Sequence, residues 1–533
     1  MNKQIRRSLE NPRQSGKTKI LFIYPEFPRT FWSFKYALKF ISKKSGMSPL
    51  GLITIASMLP ESWEKKLIDM NTSHLNDSDI LWADYVFLSA MDIQRASARN
   101  AIDRCRRLHV KTVMGGPLVS SDHTDFDDVD HLLLNEGELT VPEFLKDFES
   151  GNLRHIYDTA GWADMSKTPV PAWDLLDLNH YACLNIQYSR GCPFDCEFCD
   201  ITSLYGHTPR TKSAGQILRE LDLIYQKGWR GGIFFVDDNF IGNRKKLKTE
   251  VLPALIDWMK KKKYPFNFLT EVSINLADDE DLMRLMVRAG FKSVFVGIET
   301  VDEDSLSECN KLQNKNRDML LCVKKIQRMG LQVQGGFIVG FDSDTPQIFG
   351  RMIRFIQESG IVTAMVGLLN APRKTKLYQR LQLEGRISSE FNGNNTDMSI
   401  NFVPKMNTTT LLSGYQEIVS TIYSPKHYYQ RIANFLKEYT PVKLGKPRIS
   451  FQNIGAFFKA NLRLGLLGRE RLFYWKLFFW SLTKKPQVFP LAISMSIYGF
   501  HFRKVFEQYA APDTAPKTSP VYRKSRLKHQ KSV

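Results

Sequence analysis

The sequence predicts an α/β chain in three parts: a doubly wound parallel sheet, a central (βα)6 partial barrel and a basic helical C-terminal region. Three observations predict this. Short apolar runs alternate with helix-like stretches over the first 155 residues, the alternation resumes after residue 183, and beyond about residue 396 only helical periodicity is left. At 533 residues the chain has room for about three domains, and its hydrophobic fraction of 43% is ordinary for globular cores.

Residues 1–18 are polar and basic, with no signal-type apolar run behind them, and read as a disordered tail. KILFIYPEF opens a strand, GLITIASMLP a helix stopped at Pro60, and EKKLIDMN and ADYVFLSAM two more strands. SARNAIDRCRRLH is helical, and VKTVMGGP and HLLLNEGE complete the first set of strands. These define a Rossmann-like domain over 19–155, with ligands expected at the carboxyl ends of its strands. Pro169, Pro171 and weak periodicity mark 156–183 as a linker. LNIQYSRGC begins the barrel, followed by GIFFVDDN, FNFLTEVS, SVFVGIET, VQGGFIVGF and TAMVGLLNA, with helices such as AGQILRELDLIYQKG between them. This barrel spans 184–395, and its active site belongs at the C-terminal strand ends. Helices then occupy 396–511, and 512–533 reads as a second disordered basic tail.

The net charge of +19 is uneven: residues 441–533 carry 18 Lys and Arg against 3 Asp and Glu. No run approaches the ~20 apolar residues of a membrane span. Seven cysteines, an odd number, do not read as a disulfide framework, so a reducing cytoplasm is expected.

Three of the seven lie in RGCPFDCEFCD, Arg190–Asp200, spaced C-x3-C-x2-C after the first barrel strand. A structural zinc site wants four ligands, and no second pair exists here. A [4Fe–4S] cube takes one thiolate per iron, so three cysteines leave one iron open to another ligand. Buried thiols, or a zinc loop short of a ligand, are the plain alternative. With Phe198 before the last cysteine, the motif resembles that of the radical S-adenosylmethionine (SAM) superfamily. The resemblance implies that Cys192, Cys196 and Cys199 hold the cluster, that SAM chelates the fourth iron and that Phe198 lies near the adenine. It also implies SAM contacts from Asp237 and Asp238 in FFVDDNF, Glu271 and Ser273 in TEVS, Gly297 and Glu299 in VGIET, and Gly336 and Gly340 in GGFIVGF. Asp237 and Asp238 could equally cap a helix. Cys105, Cys183, Cys309 and Cys322 are scattered and read as packed thiols.

Ser89 after the third strand, and Gly115 and Gly116 after the fourth, resemble the nucleotide-tail contacts of a cobalamin-binding domain. The D-x-H-x-x-G motif that supplies a cobalt histidine in many such domains is absent; its place reads YPEFPRTF, and His74 reads as a surface or capping residue. A dinucleotide competes as ligand, but G-x-G-x-x-G is absent too. PEFPRTFWSFKYAL, SPLGLITIASMLP, LIDMN and GFHFRKV resemble the class B radical SAM methyltransferases, in the subgroup that includes hopanoid C-2 methylases. That resemblance implies a radical SAM methyltransferase. In such an enzyme an electron from a donor such as flavodoxin or ferredoxin cleaves SAM, and the 5′-deoxyadenosyl radical takes hydrogen from an unactivated carbon. Cobalamin then methylates that carbon, and a second SAM restores it. The implied substrate is a hydrophobic small molecule, a polycyclic lipid or a tetrapyrrole. A cobalamin-dependent cyclisation or rearrangement without methyl transfer is the alternative. A methylthiotransferase is disfavoured because its second cluster needs three more clustered cysteines.

Helices bearing Phe473, Tyr474, Trp475, Phe478, Phe479 and Trp480 are apolar nearly all round. They read either as a buried cap on the barrel or as a lid that contacts an anionic membrane through flanking Lys and Arg. Aromatic and basic residues together also suit RNA, but no RNA-binding motif is present.

Overall fold

A computed structural model describes residues 17–445 and 451–508. The two tails expected at the termini therefore fall wholly or mostly outside the described residues.

The first domain is one parallel sheet built from β1 (Lys19–Tyr24), β2 (Glu64–Asp69), β3 (Tyr85–Ser89), β4 (Lys111–Gly115), β5 (His131–Leu133) and β6 (Ile156–Tyr157), in the order β2-β1-β3-β4-β5-β6. Strands buried on both faces must be apolar throughout. Alternate residues of β1 accordingly face opposite cores. Ile20 and Phe22 pack under α1 (Leu50–Met58), whereas Leu21 and Ile23 pack with α2 (Arg95–Arg107). On the first of these faces, α3 (Gly137–Ser150) adds Val141 and Phe144. The strand order reverses between β1 and β3, and such a switch point opens a ligand crevice at the carboxyl ends.

The stretch read as a linker is partly structural. Its first two residues form β6, so the first domain extends past 155. The Tyr181 hydroxyl donates to Asp69 Oδ2 at 2.9 Å, both buried, which docks the end of this stretch against the end of β2.

The second sheet is also parallel and follows chain order. It comprises β7 (Cys183–Ile186), β10 (Gly232–Phe235), β11 (Asn267–Val272), β12 (Phe291–Glu299), β13 (Gln332–Val339) and β14 (Ala364–Leu368). A small hairpin, β8 (Ser189–Arg190) with β9 (Arg210–Thr211), stands beside it. Helices α4 (Ala214–Gln226), α5 (Leu252–Lys261), α6 (Glu280–Ala289), α7 (Met319–Arg328) and α8 (Gln347–Ser359) cover the outside. Side chains alternate along a strand. Phe235, Phe268, Val294, Val296, Phe337 and Val366 are buried among the outer apolar residues. Phe234, Leu269, Phe295, Ile338 and Met365 face the lumen and are half-buried.

Six strands leave the barrel open between β7 and β14. The segment between β1 and α1 closes that seam. Trp32 places its indole N–H 2.9 Å from Met365 Sδ and its ring 5.5 Å from Phe295. The Ser48 hydroxyl accepts from the Asn185 N–H at 2.9 Å on the opposite edge strand. The C-terminal helices back the plug: α10 (Thr408–Ile422), α11 (Pro425–Glu438), α12 (Phe451–Ala460), α13 (Arg471–Lys484) and α14 (Phe489–Phe506), with α9 (Lys376–Leu383) preceding them. Phe31 stacks on Phe502 of α14 with centroids 4.2 Å apart. His501 meets the Phe31 carbonyl at 2.8 Å through Nε2, and burial pushes its pKa down to about 4, so the neutral ring is the donor. Tyr415 and Tyr423 donate their hydroxyls to the carbonyls of Val366 and Ala364, blunting the exposed edge of β14. No helix among the described residues is long and apolar enough to cross a membrane.

Phe31→Ala should cost about 3–5 kcal/mol, the range for a large aromatic removed from a packed core. Denaturant unfolding checks this; a loss below about 1 kcal/mol would show that the seam tolerates a void there.

Candidate active site

The cysteine loop leaves the end of β7 through β8. Gly191 adopts φ +94°, and a Cβ there would sit 2.8 Å from the Thr208 carbonyl, so only glycine passes. Asp237, after β10, accepts from the Tyr188 N–H at 3.2 Å, from the Ser189 N–H, and from the Ser189 hydroxyl at 2.6 Å. Asp238 accepts from the Gly191 N–H at 3.1 Å. The next helical turn begins at Phe240 with Asn239 at its boundary, so neither acid caps it. Both instead fix the backbone entering the cysteine loop. Burial pushes their pKa values up, to about 7 for Asp237 and about 6 for Asp238.

Further along, the Glu197 N–H donates to the Cys309 carbonyl at 3.0 Å, and Arg380 grips the Glu197 carboxylate at 2.6 Å. Cys192, Cys196 and Cys199 are half-buried and free of disulfides. Burial raises all three thiol pKa values, while Lys311 acts on each in the opposite sense. Lys311 itself binds Glu299 at 2.7 Å and lies 6.0 Å from the centroid of the Phe198 ring. Glu299 adopts φ +62°, unusual for a non-glycine residue, and a Cβ on Gly297 would lie 2.2 Å from its Oε1. A Cβ at position 297 would therefore displace the Glu299–Lys311 pair from where it lies along β12.

No three His, Cys, Asp or Glu side chains among the described residues converge on a single-ion site. A cube binds each thiolate through a different iron, so its ligands need not meet at one point. Three free thiols on one loop, faced by a cation that favours their ionised form, fit an anionic cluster.

Glu271 points into the lumen from β11. Burial, then repulsion from Asp238, Asp237 and Glu299, pushes its pKa to about 8 against partial relief from Lys311. The mouth is therefore rich in carboxylates and suits a cationic ligand. Ser273 is turned aside, donating its N–H to Asn239 at 3.2 Å and its hydroxyl to Asn275 at 2.7 Å. Gly336 leaves room for the Phe295 ring, 2.7 Å from where its Cβ would be. Gly340, at φ +107°, turns the chain after β13, and its N–H donates to Asp344 at 2.8 Å. Phe198 lies 6.3 Å from Phe341, just beyond that turn.

In the first domain, Ser89 and Gly116 meet across the carboxyl ends of β3 and β4. A Cβ on Gly116, at φ +91°, would stand 2.4 Å from Ser89 Oγ, and one on Gly115 would be 3.0 Å from the Leu133 carbonyl. His74 is exposed, as expected. This end of the sheet faces the barrel mouth. Arg190, two residues before Cys192, binds Glu136 and Glu138 at 2.8 Å each, and Arg210 binds Glu136 at 2.9 Å. Arg373 reaches Asp122 at 2.9 Å, and Lys374 donates to the Ser120 carbonyl. The crevice between the sheet ends and the lumen is thus pinned at two points. Sequence reading missed Arg190, Arg210, Glu136, Glu138, Lys311 and Trp32. Of these, only Arg190 carried a signal, its position next to the cysteine motif.

Residues 186–356 match the family model described as "Radical SAM superfamily", and 375–514 match "Domain of unknown function (DUF4070)". An uncharacterized methyltransferase of Synechocystis sp. is 38% identical over 90% of this chain and 91% of its own. The hopanoid C-2 methylase of Rhodopseudomonas palustris is 34% identical over 87% of this chain and 89% of its own. The structure of the cobalamin-dependent S-adenosylmethionine radical enzyme OxsB, with aqua-cobalamin and S-adenosylmethionine bound, superposes with a TM-score of 0.58 at 14% identity. That match covers 92% of this chain and 80% of that one, and it establishes a shared fold.

Two outcomes follow from the charges. Arg190→Met strands buried Glu138 and should destabilise the protein by about 3–5 kcal/mol in denaturant unfolding; an unchanged midpoint would mean that the network carries no energy. Glu271 binds its proton more tightly folded than unfolded, so its contribution to stability is lost as pH rises from 4.5 towards about 8. In cofactor-free protein, Glu271→Gln should flatten the fall of Tm across that window; parallel Tm curves would contradict the assignment.

Proposed function

The chain belongs to the radical SAM superfamily, and from that premise we propose that it is a cobalamin-dependent C-methyltransferase acting on an unactivated carbon of a hydrophobic small molecule. One observation carries the reading: the three-cysteine loop stands at the mouth of the barrel lumen and faces the carboxyl end of a doubly wound parallel sheet. Cys192, Cys196 and Cys199 would hold the [4Fe–4S] cluster, and Phe198, Gly336 and Gly340 would border the adenine of SAM. Glu271 and Glu299 would face the ammonium, carboxylate and ribose of SAM with Gly297 beside them, whereas Asp237 and Asp238 hold the loop and Ser273 is turned aside. Ser89, Gly115 and Gly116 would border the cobalamin tail. When bound, these cofactors supply reductive cleavage of SAM and a methyl group for carbon.

The chain's own residues position and exclude. Asp237 and Asp238 fix the loop, Lys311 offsets thiolate charge, and the Trp32 plug keeps water from the lumen. Phe234, Leu269, Phe295, Ile338 and Met365 offer a polycyclic lipid or tetrapyrrole an apolar wall. No residue needs to act as a general base at an aliphatic carbon. We place the enzyme in the cytoplasm, served by flavodoxin or ferredoxin and working beside the inner face of the membrane.

Anaerobic reconstitution with cluster, cobalamin, SAM, reductant and substrate should yield both 5′-deoxyadenosine and S-adenosylhomocysteine, and Cys196→Ala should abolish both. Deoxyadenosine without homocysteine would point to cyclisation or rearrangement instead. Cleavage that survives Cys196→Ala would sink the cluster assignment.

A further inference from the structure

Along α12 and the π-helical turn that continues it (Asn461–Leu466), Ala456, Ala460 and Leu464 are buried against the body. Phe451, Ile454, Phe458, Leu462 and Leu466 recur every three or four residues, which places them on one stripe. Their exposures are 93, 44, 65, 54 and 60%. A soluble helix normally turns polar residues to that face. Neighbouring α13 exposes Leu472, Phe479 and Leu482 in the same way. Trp475 binds the two helices together through its N–H to the Gly465 carbonyl at 2.9 Å.

Between residues 451 and 485 the chain carries seven Lys and Arg against one acid, Glu470, and that acid is buried in an ion pair with Arg503. Beside the stripe, against Lys39 and Phe40 of the plug segment, lies a cavity of about 820 Å³. Its wall includes Lys39, Lys459, Arg463, Arg469, Arg503 and Lys504, with Leu462 and Leu467 among its apolar members. Glu470 and Glu507 are its acids; Glu507 pairs with Lys504 at 2.6 Å. Arg503 is held by Glu470, and its other terminal nitrogen, Nη1, is buried with no hydrogen-bond partner among the described residues. With one of its two acids buried in that pair, the cavity wall carries an excess of cations that an anionic oxygen would match.

We propose that the 451–484 helical pair docks on an anionic phospholipid surface, its exposed stripe entering the acyl boundary and the adjoining cavity receiving a lipid phosphate. Apolar side chains beside cations are what an interfacial helix presents to such a membrane. A second copy of this chain is a poorer occupant, because it would bring two cationic faces together. This inference deepens the proposed location beside the membrane but rests on none of the methyl-transfer chemistry.

The test is flotation of the full-length protein with phosphatidylglycerol-containing vesicles and with pure phosphatidylcholine vesicles. Binding to the former should exceed binding to the latter by about tenfold or more and weaken in high salt. Phe458→Ser/Leu462→Ser should lose the binding, and Arg463→Gln/Arg469→Gln should lose the lipid preference. Both variants change exposed side chains, and unchanged deoxyadenosine formation in detergent-free buffer would confirm that they fold. No flotation, or equal flotation with both vesicles, would overturn the proposal. So would a wild-type dimer that the serine variant converts to monomer without any vesicle binding. A failure here leaves the product assay untouched, so the two readings fall separately.

Discussion

The architecture depends on one buried charge network, Arg190 and Arg210 against Glu136 and Glu138. Two parallel sheets must present their carboxyl ends to each other, and non-directional apolar packing would not fix one register between them. Directional ion pairs hold the edges in register without filling the middle. Glu136 is almost wholly buried, and its Oε2 also accepts from the Ala163 N–H at 2.7 Å, so its charge is matched on several sides. Buried pairs of this kind contribute less to net stability than to the choice of one arrangement, because breaking them leaves a charge stranded. Here the arrangement chosen is the cysteine loop beneath the Rossmann-like crevice.

The second constraint is the unclosed barrel. Edge strands with free backbone groups are liabilities, and both edges here are served by other parts of the chain. Ser48 satisfies β7, Tyr415 and Tyr423 satisfy β14, and Trp32 fills the space between. Three sequence regions therefore build one compartment. The inward positions mix Phe234, Leu269, Phe295, Ile338 and Met365 with the polar Asn185, Glu271 and Gln334, so the lumen is apolar in part and carries polar groups among its walls.

Much of this was legible in the sequence. Period-two burial on apolar strands is local, so the strand runs fall where the alternation put them, and the cysteine spacing is a local motif. Ser89 and Gly116, singled out at separate strand ends, do meet. What the sequence could not reveal was long-range. Glu136 and Glu138 sit on a helix start where acids are common, and nothing local links them to Arg190. Lys311 belongs to an unremarkable loop and matters only through Glu299 and the thiols. Asp237 and Asp238 looked like caps or ligands, yet backbone N–H groups of another strand claim them. The 156–183 stretch lacked periodicity because a two-residue strand and a tyrosine anchor leave none.

The contact of Phe31 with Phe502, and of the Phe31 carbonyl with His501 across 470 positions, ties the barrel seam to α14. Phe502 backs Phe31, and Trp32 beside it meets Phe295 and Met365 inside the barrel. A substitution in α14 can therefore disturb the lumen wall without altering any residue of the barrel strands.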